Sequence, residues 1–433
     1  MFSNEAVLES IIEIFVTLWY SIFSYNKRRK VYPLLKSERK LIDWMIKRKD
    51  ILLFLIVTCM AILARIPGLD YISEDMTDHL LPWAEQFRTN SGFSAMRSQI
   101  GDYNILYQTL IVLICRLPGS MVYLYKYNIS IFFDFLLAVI CGELVRKVRG
   151  GTAFCPAFAV TYAIVLFVPT VILNSAVWGQ CDAMYTCVCI LALAALYRRR
   201  YVASFIALGI AFALKLQTIF ILPVYLYVYI CRKDFSLLHF FISIFTLWVT
   251  GIPAYLEGRS LLTVFQIYLN QMNEYPLLVM NSPSIWTLFF PEYAYMRLCA
   301  LITTVLILGL FLYHLLNHKQ VIREDPESYL ILAAWCTWTC FLFLPSMHER
   351  YSYLSDLLLV LLALLSGKYL PYALAAVCIS GVTYTNYLQN YALWRVMPFL
   401  PPVAAIAWAF FSFRILPTVL IAEKQISDNL EHI

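Results

Sequence analysis

Between residues 50 and 421 this sequence is a succession of apolar runs separated by short clusters of Lys and Arg. A helix needs about 20 apolar residues to cross the hydrocarbon core of a bilayer, and somewhat fewer inside a bundle. The pattern therefore predicts an all-α polytopic membrane protein. The residue balance agrees: the chain is 61% hydrophobic and only 14% charged, against about 25% charged in a soluble domain. A soluble enzyme, a disordered chain and a secreted disulfide scaffold are all disfavoured. The net charge of +6 is not a nucleic-acid signal, because the basic residues lie between apolar runs, as cytoplasmic flanks do. Cys141, Cys187, Cys189 and Cys340 sit inside apolar runs with no CxxC pair, and read as small buried residues.

The basic clusters orient the runs. Lys27–Lys30, Lys36, Arg39, Lys40 and Lys47–Lys49 precede the first clear crossing at 50–66, and Arg146, Lys147 and Arg149 follow the return at 121–146. Both flanks are assigned to the cytoplasm. Parity then leaves the run 103–115 as an external helix on or in the membrane surface, within one long external loop at 67–120. The remaining crossings are placed at 153–175, 182–197, 201–215, 217–231, 236–256, 295–317, 328–345, 351–366, 369–387 and 398–421, about twelve in all. Residues 5–24 place Glu5, Glu9 and Glu13 on one helical face. They read as an amphipathic helix on the inner surface rather than a thirteenth span or a secretory signal. The organisation is thus a basic cytoplasmic segment at 1–49, one transmembrane domain at 50–421 and a cytoplasmic tail at 422–433.

With that orientation the unusual polar residues all fall at the external ends. They are Ser73-Glu74-Asp75 leading to Pro82-Trp83, Gly101-Asp102-Tyr103-Asn104, Trp178-Gly179-Gln180-Cys181-Asp182, Lys215-Leu216-Gln217, Asn281-Ser282-Pro283 and Met347-His348-Glu349-Arg350-Tyr351. Singly, each has an ordinary reading. Asp75 or Asp102 can cap a helix, Trp178 can belong to an interfacial belt, and Lys215 can snorkel to headgroups. Asp134, inside a crossing, reads as the partner of a buried polar group. Jointly, they place acids and cations on one face of a polytopic protein, where a charge at membrane depth costs about 2.5–3.5 kcal/mol.

That set suits glycosyl transfer from a lipid-phosphate sugar. A carboxylate takes the proton of an acceptor hydroxyl. Lys215 and Arg350 hold the phosphate that leaves with the lipid, and His348 hydrogen-bonds or protonates it. The bundle offers an apolar groove for the prenyl chain. A divalent metal shared by Asp75 and Asp182 is the less favoured alternative, since cations already cover the phosphate; no other cofactor is implied.

On Ser73-x-Asp75 with Pro82-Trp83, Gly101-Asp102-Tyr103-Asn104, Asn174-Ser175-Ala176 running into Trp178-Gly179-Gln180-Cys181-Asp182, Phe212-x-x-Lys215-x-Gln217, and Met347-His348-Glu349-Arg350-Tyr351, the chain resembles the membrane-embedded C-type (GT-C) glycosyltransferase superfamily. Within it, the chain is similar to bacterial mannosyltransferase-like proteins related to the second mannosyltransferase of GPI-anchor synthesis. The resemblance runs from about residue 60 to about residue 400. It implies a GT-C-like bundle and a donor sugar, mannose at family level, on a polyprenyl phosphate. It also implies an extracytoplasmic active site in the cell membrane, inversion at the anomeric carbon, and an essential Asp on the first external loop. Asp75 is the matching position, with Asp78 a second candidate because Met76 replaces a common Tyr.

The roles that follow are Asp75 as base and Arg350, Lys215 and His348 on the donor phosphate. Asp102 and Asp182 position the acceptor or orient the cations, and Trp178 stacks on a sugar. Gln180, Gln217 and Asn281 bind sugar hydroxyls, and Tyr103, Asn104, Glu349 and Tyr351 support the site. The acceptor is left open among glycolipid, polysaccharide, teichoic-acid-like polymer and protein. The competing readings are a twelve-span transporter or flippase of lipid-linked sugars, a polysaccharide polymerase or ligase, and a structural subunit.

Overall fold

The computed structural model describes residues 35–90, 92–272, 276–289 and 293–422. The helix expected at 5–24 and nearly all of the 422–433 tail lie outside the described residues. Every run read as a crossing is helical: Lys49–Gly68, Met121–Arg149, Pro156–Phe167 with Pro169–Val177, Asp182–Tyr197, Tyr201–Leu214, Leu216–Arg232, His239–Val249, Tyr293–Asn317, Pro326–Phe343, Tyr353–Leu365, Leu370–Leu388 and Met397–Val419. The only sheets among the described residues are two short pairs. Gln320–Ile322 pairs with Leu420–Ala422, and Val279–Met280 runs parallel to Met347–His348.

By length and apolarity, four of these helices are able to cross a membrane, or five if the pair bent by 57° at Val168 counts as one. The rest are shorter or more polar. Asp182–Tyr197 has 16 residues, which at 1.5 Å per residue is about 24 Å, short of a hydrocarbon core of about 30 Å. Eleven of its residues are buried inside the bundle. Helices sheathed by protein need not match the lipid thickness, so apolar runs in the sequence overstate span length. None of the twelve cysteines is in a disulfide, and the four expected to be buried are buried.

The helices run alternately between two poles. At one pole, charged residues from distant parts of the chain meet. Arg199 contacts both Glu324 and Asp234, Arg232 reaches Glu324, Lys368 reaches Glu327, and Arg149 donates to the carbonyl of Leu364. The acid-and-amide clusters gather at the opposite pole, at breaks in the helices. The helix Lys36–Lys47 buries no residue in the protein and leaves Leu41, Trp44 and Ile46 exposed beside its basic residues.

The run expected as an external surface helix is Ile105–Ile114, and it packs under protein with six residues buried. Its N-terminus is capped by Asn104, whose carboxamide also donates to the Val264 carbonyl, and not by Asp102. The preceding loop is tied down by Lys126. Its ammonium donates to the carbonyls of Gly68, Leu69, Tyr71 and Val177 at 2.5–3.2 Å, so a buried cation closes the turn that leads to Asp75.

Deeper in the bundle Arg65 and Asp134 form a fully buried pair. Arg65 Nε and Nη2 donate to Asp134 Oδ2 at 3.1 and 2.9 Å, Ser175 donates to the same oxygen, and Arg65 also reaches the carbonyls of Ala61 and Leu166. Asp134 is the structural partner the sequence suggests. Removing one member of such a pair strands the other charge, at about 3–5 kcal/mol, whereas an apolar replacement of both is often neutral. Asp134→Ala should therefore lower unfolding stability in detergent by about that amount, and Arg65→Met with Asp134→Leu should restore most of it. Equal stability of Asp134→Ala and the parent protein would refute the pair's role.

Candidate functional site

The segment carrying Asp75 begins a helix whose first turn is capped by Ser73, not by Asp75. The Ser73 hydroxyl accepts from the Met76 N–H and donates to the Trp178 carbonyl. That contact joins the first loop to the break between Pro169–Val177 and Asp182–Tyr197. The break turns at Gly179, which has φ +80° and would bring a Cβ within 2.7 Å of the Met76 sulfur. Only glycine fits this left-handed turn against Met76. Asp75 is left pointing at the Trp178-Gln180 corner.

Its carboxylate is nearly saturated. Oδ2 accepts from the Trp178 indole at 2.9 Å, the Gln180 carboxamide at 2.6 Å and Arg350 Nη1 at 3.0 Å, while Oδ1 accepts, among the described residues, only from the Tyr387 hydroxyl at 2.9 Å. Burial alone would raise its pKa, but the Arg350 guanidinium, the Tyr387 hydroxyl and the Trp178 N–H outweigh it and hold Asp75 below the ordinary carboxylate range. Asp78, three residues on, is exposed and outside the cavity. Of the two, Asp75 lines the cavity and Asp78 does not.

Asp75 opens onto a cavity also lined by Asp102, Tyr103, Gln180, Lys215, Gln217, His348, Arg350 and Tyr351. Nine of the residues singled out in the sequence thus meet here from five separate stretches of chain. Asp182 stands behind Lys215 and pairs with it, and the Asn174 carboxamide donates to its other oxygen at 2.8 Å. Asp182 therefore orients the cation. The Tyr103 hydroxyl donates to Gln180 at 3.3 Å. Among the described residues, Arg350 Nε and Gln217 Oε1 are buried without a hydrogen-bond partner, an uncommon state for such atoms. Each of Asp75 and Asp182 is already engaged by a cation. No group of three or more His, Cys, Asp or Glu side chains among the described residues is placed to hold a metal ion.

Four expectations need correction. Trp178 is fully buried, with Tyr387 stacked on it at 4.5 Å and the Arg350 guanidinium 5.3 Å from its centroid. It has no free face for a sugar and serves to aim its N–H at Asp75. Asn281 donates to the Thr383 carbonyl and accepts from Asn386, so it ties a loop and does not face the cavity. Asn104 is the buried helix cap described above. His348 lines the cavity, but burial, then the nearby Arg350, pushes its pKa down to about 3. A neutral ring can donate a hydrogen bond to a phosphate but cannot protonate it near neutrality. Glu349 lies behind Arg350 at 3.9 Å, and burial raises its carboxyl to about 7.

Other participants were not predicted. His79, Trp83 and Gln271 line the cavity, and Tyr387 holds Asp75. Trp83 had been noted only as part of a motif; Tyr387 and Gln271 sit in runs whose sequence gives no sign of a site. His348 is fixed by the parallel pairing of Met280 with His348, a contact across 68 residues. No protein-family model matches the chain, and no curated protein is similar enough to count as a relative.

The state of His348 is directly measurable. In the ¹⁵N spectrum of histidine-labelled protein its ring should remain neutral at pH 5, where an ordinary histidine of pKa about 6.5 is mostly charged. A charged His348 at that pH would contradict the arrangement described.

Proposed function

We propose that this chain is a membrane-embedded glycosyltransferase that moves a hexose from a polyprenyl phosphate to an acceptor hydroxyl on the extracytoplasmic side. The observation that carries the reading is the adjacency of two unlike cavities. The charged cavity at Asp75 shares Gln217, Gln271 and Tyr351 with an apolar groove of about 230 Å³, lined by residues such as Leu216, Ile219, Phe220, Met272, Leu301 and Leu344. A ligand spanning both has an anionic, polar head and a long apolar tail, which is the make-up of a sugar on a lipid phosphate. On this reading about twelve helices cross the membrane, the basic pole is cytoplasmic, and the fold is of the GT-C type that the motifs resemble.

In the reaction the acceptor oxygen attacks the anomeric carbon from the face opposite the phosphate. The new C–O bond forms as the bond from carbon to phosphate oxygen breaks. The electron pair leaves with the lipid phosphate, and the configuration inverts. The unpartnered Nε of Arg350 and the ammonium of Lys215 take up the charge that develops on the phosphate. Asp75 Oδ1, which carries one hydrogen bond where it has room for two, accepts the hydroxyl proton. Asp75 is a weak base while Arg350 faces it. A donor phosphate that draws Arg350 away raises its basicity, so the base strengthens when the donor is in place.

Two substitution tests follow. In vesicles given a radiolabelled polyprenyl-phosphate hexose, Asp75→Asn should reduce transfer by about 10²–10⁴-fold, while Asp78→Asn should stay near the parent rate. Full activity of Asp75→Asn would remove the base, and translocation of the donor without transfer would favour the flippase reading. Arg350→Lys should raise the KM for the donor at least tenfold, because a point charge replaces a two-pronged donor. An unchanged donor KM would remove the phosphate contact.

A further inference from the structure

A second polar cavity of about 220 Å³ adjoins the first, sharing Asp102 and Gln271 with it. It is several times the roughly 30 Å³ share of one water. One wall is the helix Thr263–Gln271, which turns Thr263, Gln266, Asn270 and Gln271 toward the cavity. The spacing of three and four residues from Thr263 through Gln266 to Asn270 makes a polar stripe along one face, with Gln271 beside its end. The opposite wall is built by Gln99 and Arg259. Arg259 Nη2 donates to Gln99 Oε1 at 2.7 Å, and Gln99 Nε2 is held by the carbonyls of Gly101 and Tyr103 at 2.5 and 3.2 Å. Among the described residues, Arg259 Nη1 and Gln271 Oε1 are buried with no hydrogen-bond partner, and both residues line the cavity.

We propose that this cavity is the acceptor subsite and that it binds a saccharide, so that the acceptor hydroxyl belongs to a glycan. The inference rests on the proposed transfer and names its second substrate. Carboxamides both donate and accept, which matches hydroxyls that also do both. Four of them line the cavity, and its one guanidinium is balanced by the one carboxylate of Asp102. A strongly anionic polymer finds little net positive charge here, and a lipid tail finds little apolar surface. Donor and acceptor thus reach Asp75 through chemically opposite approaches, an apolar groove for the lipid and an amide-lined one for the sugar. Both approaches touch Gln271.

The test uses the full chain in lipid nanodiscs with mannobiose as the probe. Gln266 and Asn270 are exposed at the cavity and do not line the Asp75 site, so Gln266→Ala with Asn270→Ala leaves the fold and the donor site intact. Saturation-transfer NMR, which needs no turnover, should detect mannobiose binding to the parent protein and at least a tenfold weaker affinity in the double variant. In transfer assays the KM for mannobiose should rise by a similar factor, while the donor KM and the slow release of free hexose to water stay unchanged. Absence of mannobiose binding by the parent protein, or equal binding by the double variant, overturns the inference. Preferential transfer to a serine-containing peptide or to a glycerol-phosphate oligomer overturns it as well. Failure of the parent protein to cleave the donor, with mannobiose still bound at this cavity, overturns the transfer reaction and leaves the saccharide site standing.

Discussion

The pair between Asp75 and Arg350 joins residues 275 positions apart in the chain, and the site is organised around it. Two opposite charges, each less than one-fifth exposed, are held at the mouth of an apolar bundle by an indole, a carboxamide and a phenol. An isolated charge there would be costly. Each charge therefore requires the other, and the chain must bring the loop after Lys49–Gly68, the break after Pro169–Val177, the loop before Tyr353–Leu365 and the end of Leu370–Leu388 to one place. The same requirement aligns the helix ends that form the cavity.

The protein solves the burial of its other polar groups in related ways. Arg65 is neutralised by Asp134, and Lys215 by Asp182. Lys126 has no carboxylate bonded to it among the described residues and is held by four carbonyls, the unsatisfied ends of helical segments. The three solutions differ in consequence. The Arg65 pair is sealed and structural. Lys126 fixes a turn. Lys215 lines an open cavity with its partner behind it, so a ligand's negative charge can approach without breaking the pair. Arg350 lies between these cases, since one terminal nitrogen is committed to Asp75 and Nε is not.

The cavities extend this logic to substrates. A charged centre is flanked by an apolar groove and by an amide-lined pocket, and Gln271 borders all three. The polar face of Thr263–Gln271 is readable from its spacing, yet nothing in the sequence says what it faces. The helix ends near a segment rich in apolar residues, and its amides look like ordinary solvated positions until the loop at 99–102 is seen across from them.

The sequence by itself determined the helical class and the positions of the apolar helices, because apolar run length acts locally along the chain. It also marked Asp75, Lys215, Gln217, His348 and Arg350, since polar and charged groups at the ends of apolar runs need a reason to be there. Only the tertiary structure decided what each side chain does. Trp178 reads as a sugar platform, but Tyr387 and Arg350 lie on it, and Asn281 reads as a sugar contact, but it is tied to the Thr383 carbonyl. Span length was likewise a matter of packing, because a helix enclosed by other helices is not measured against lipid. The physical reason is common to all of these cases. Hydropathy is a property of a segment, whereas burial, pairing and proton affinity are properties of neighbours that the chain brings together from far apart.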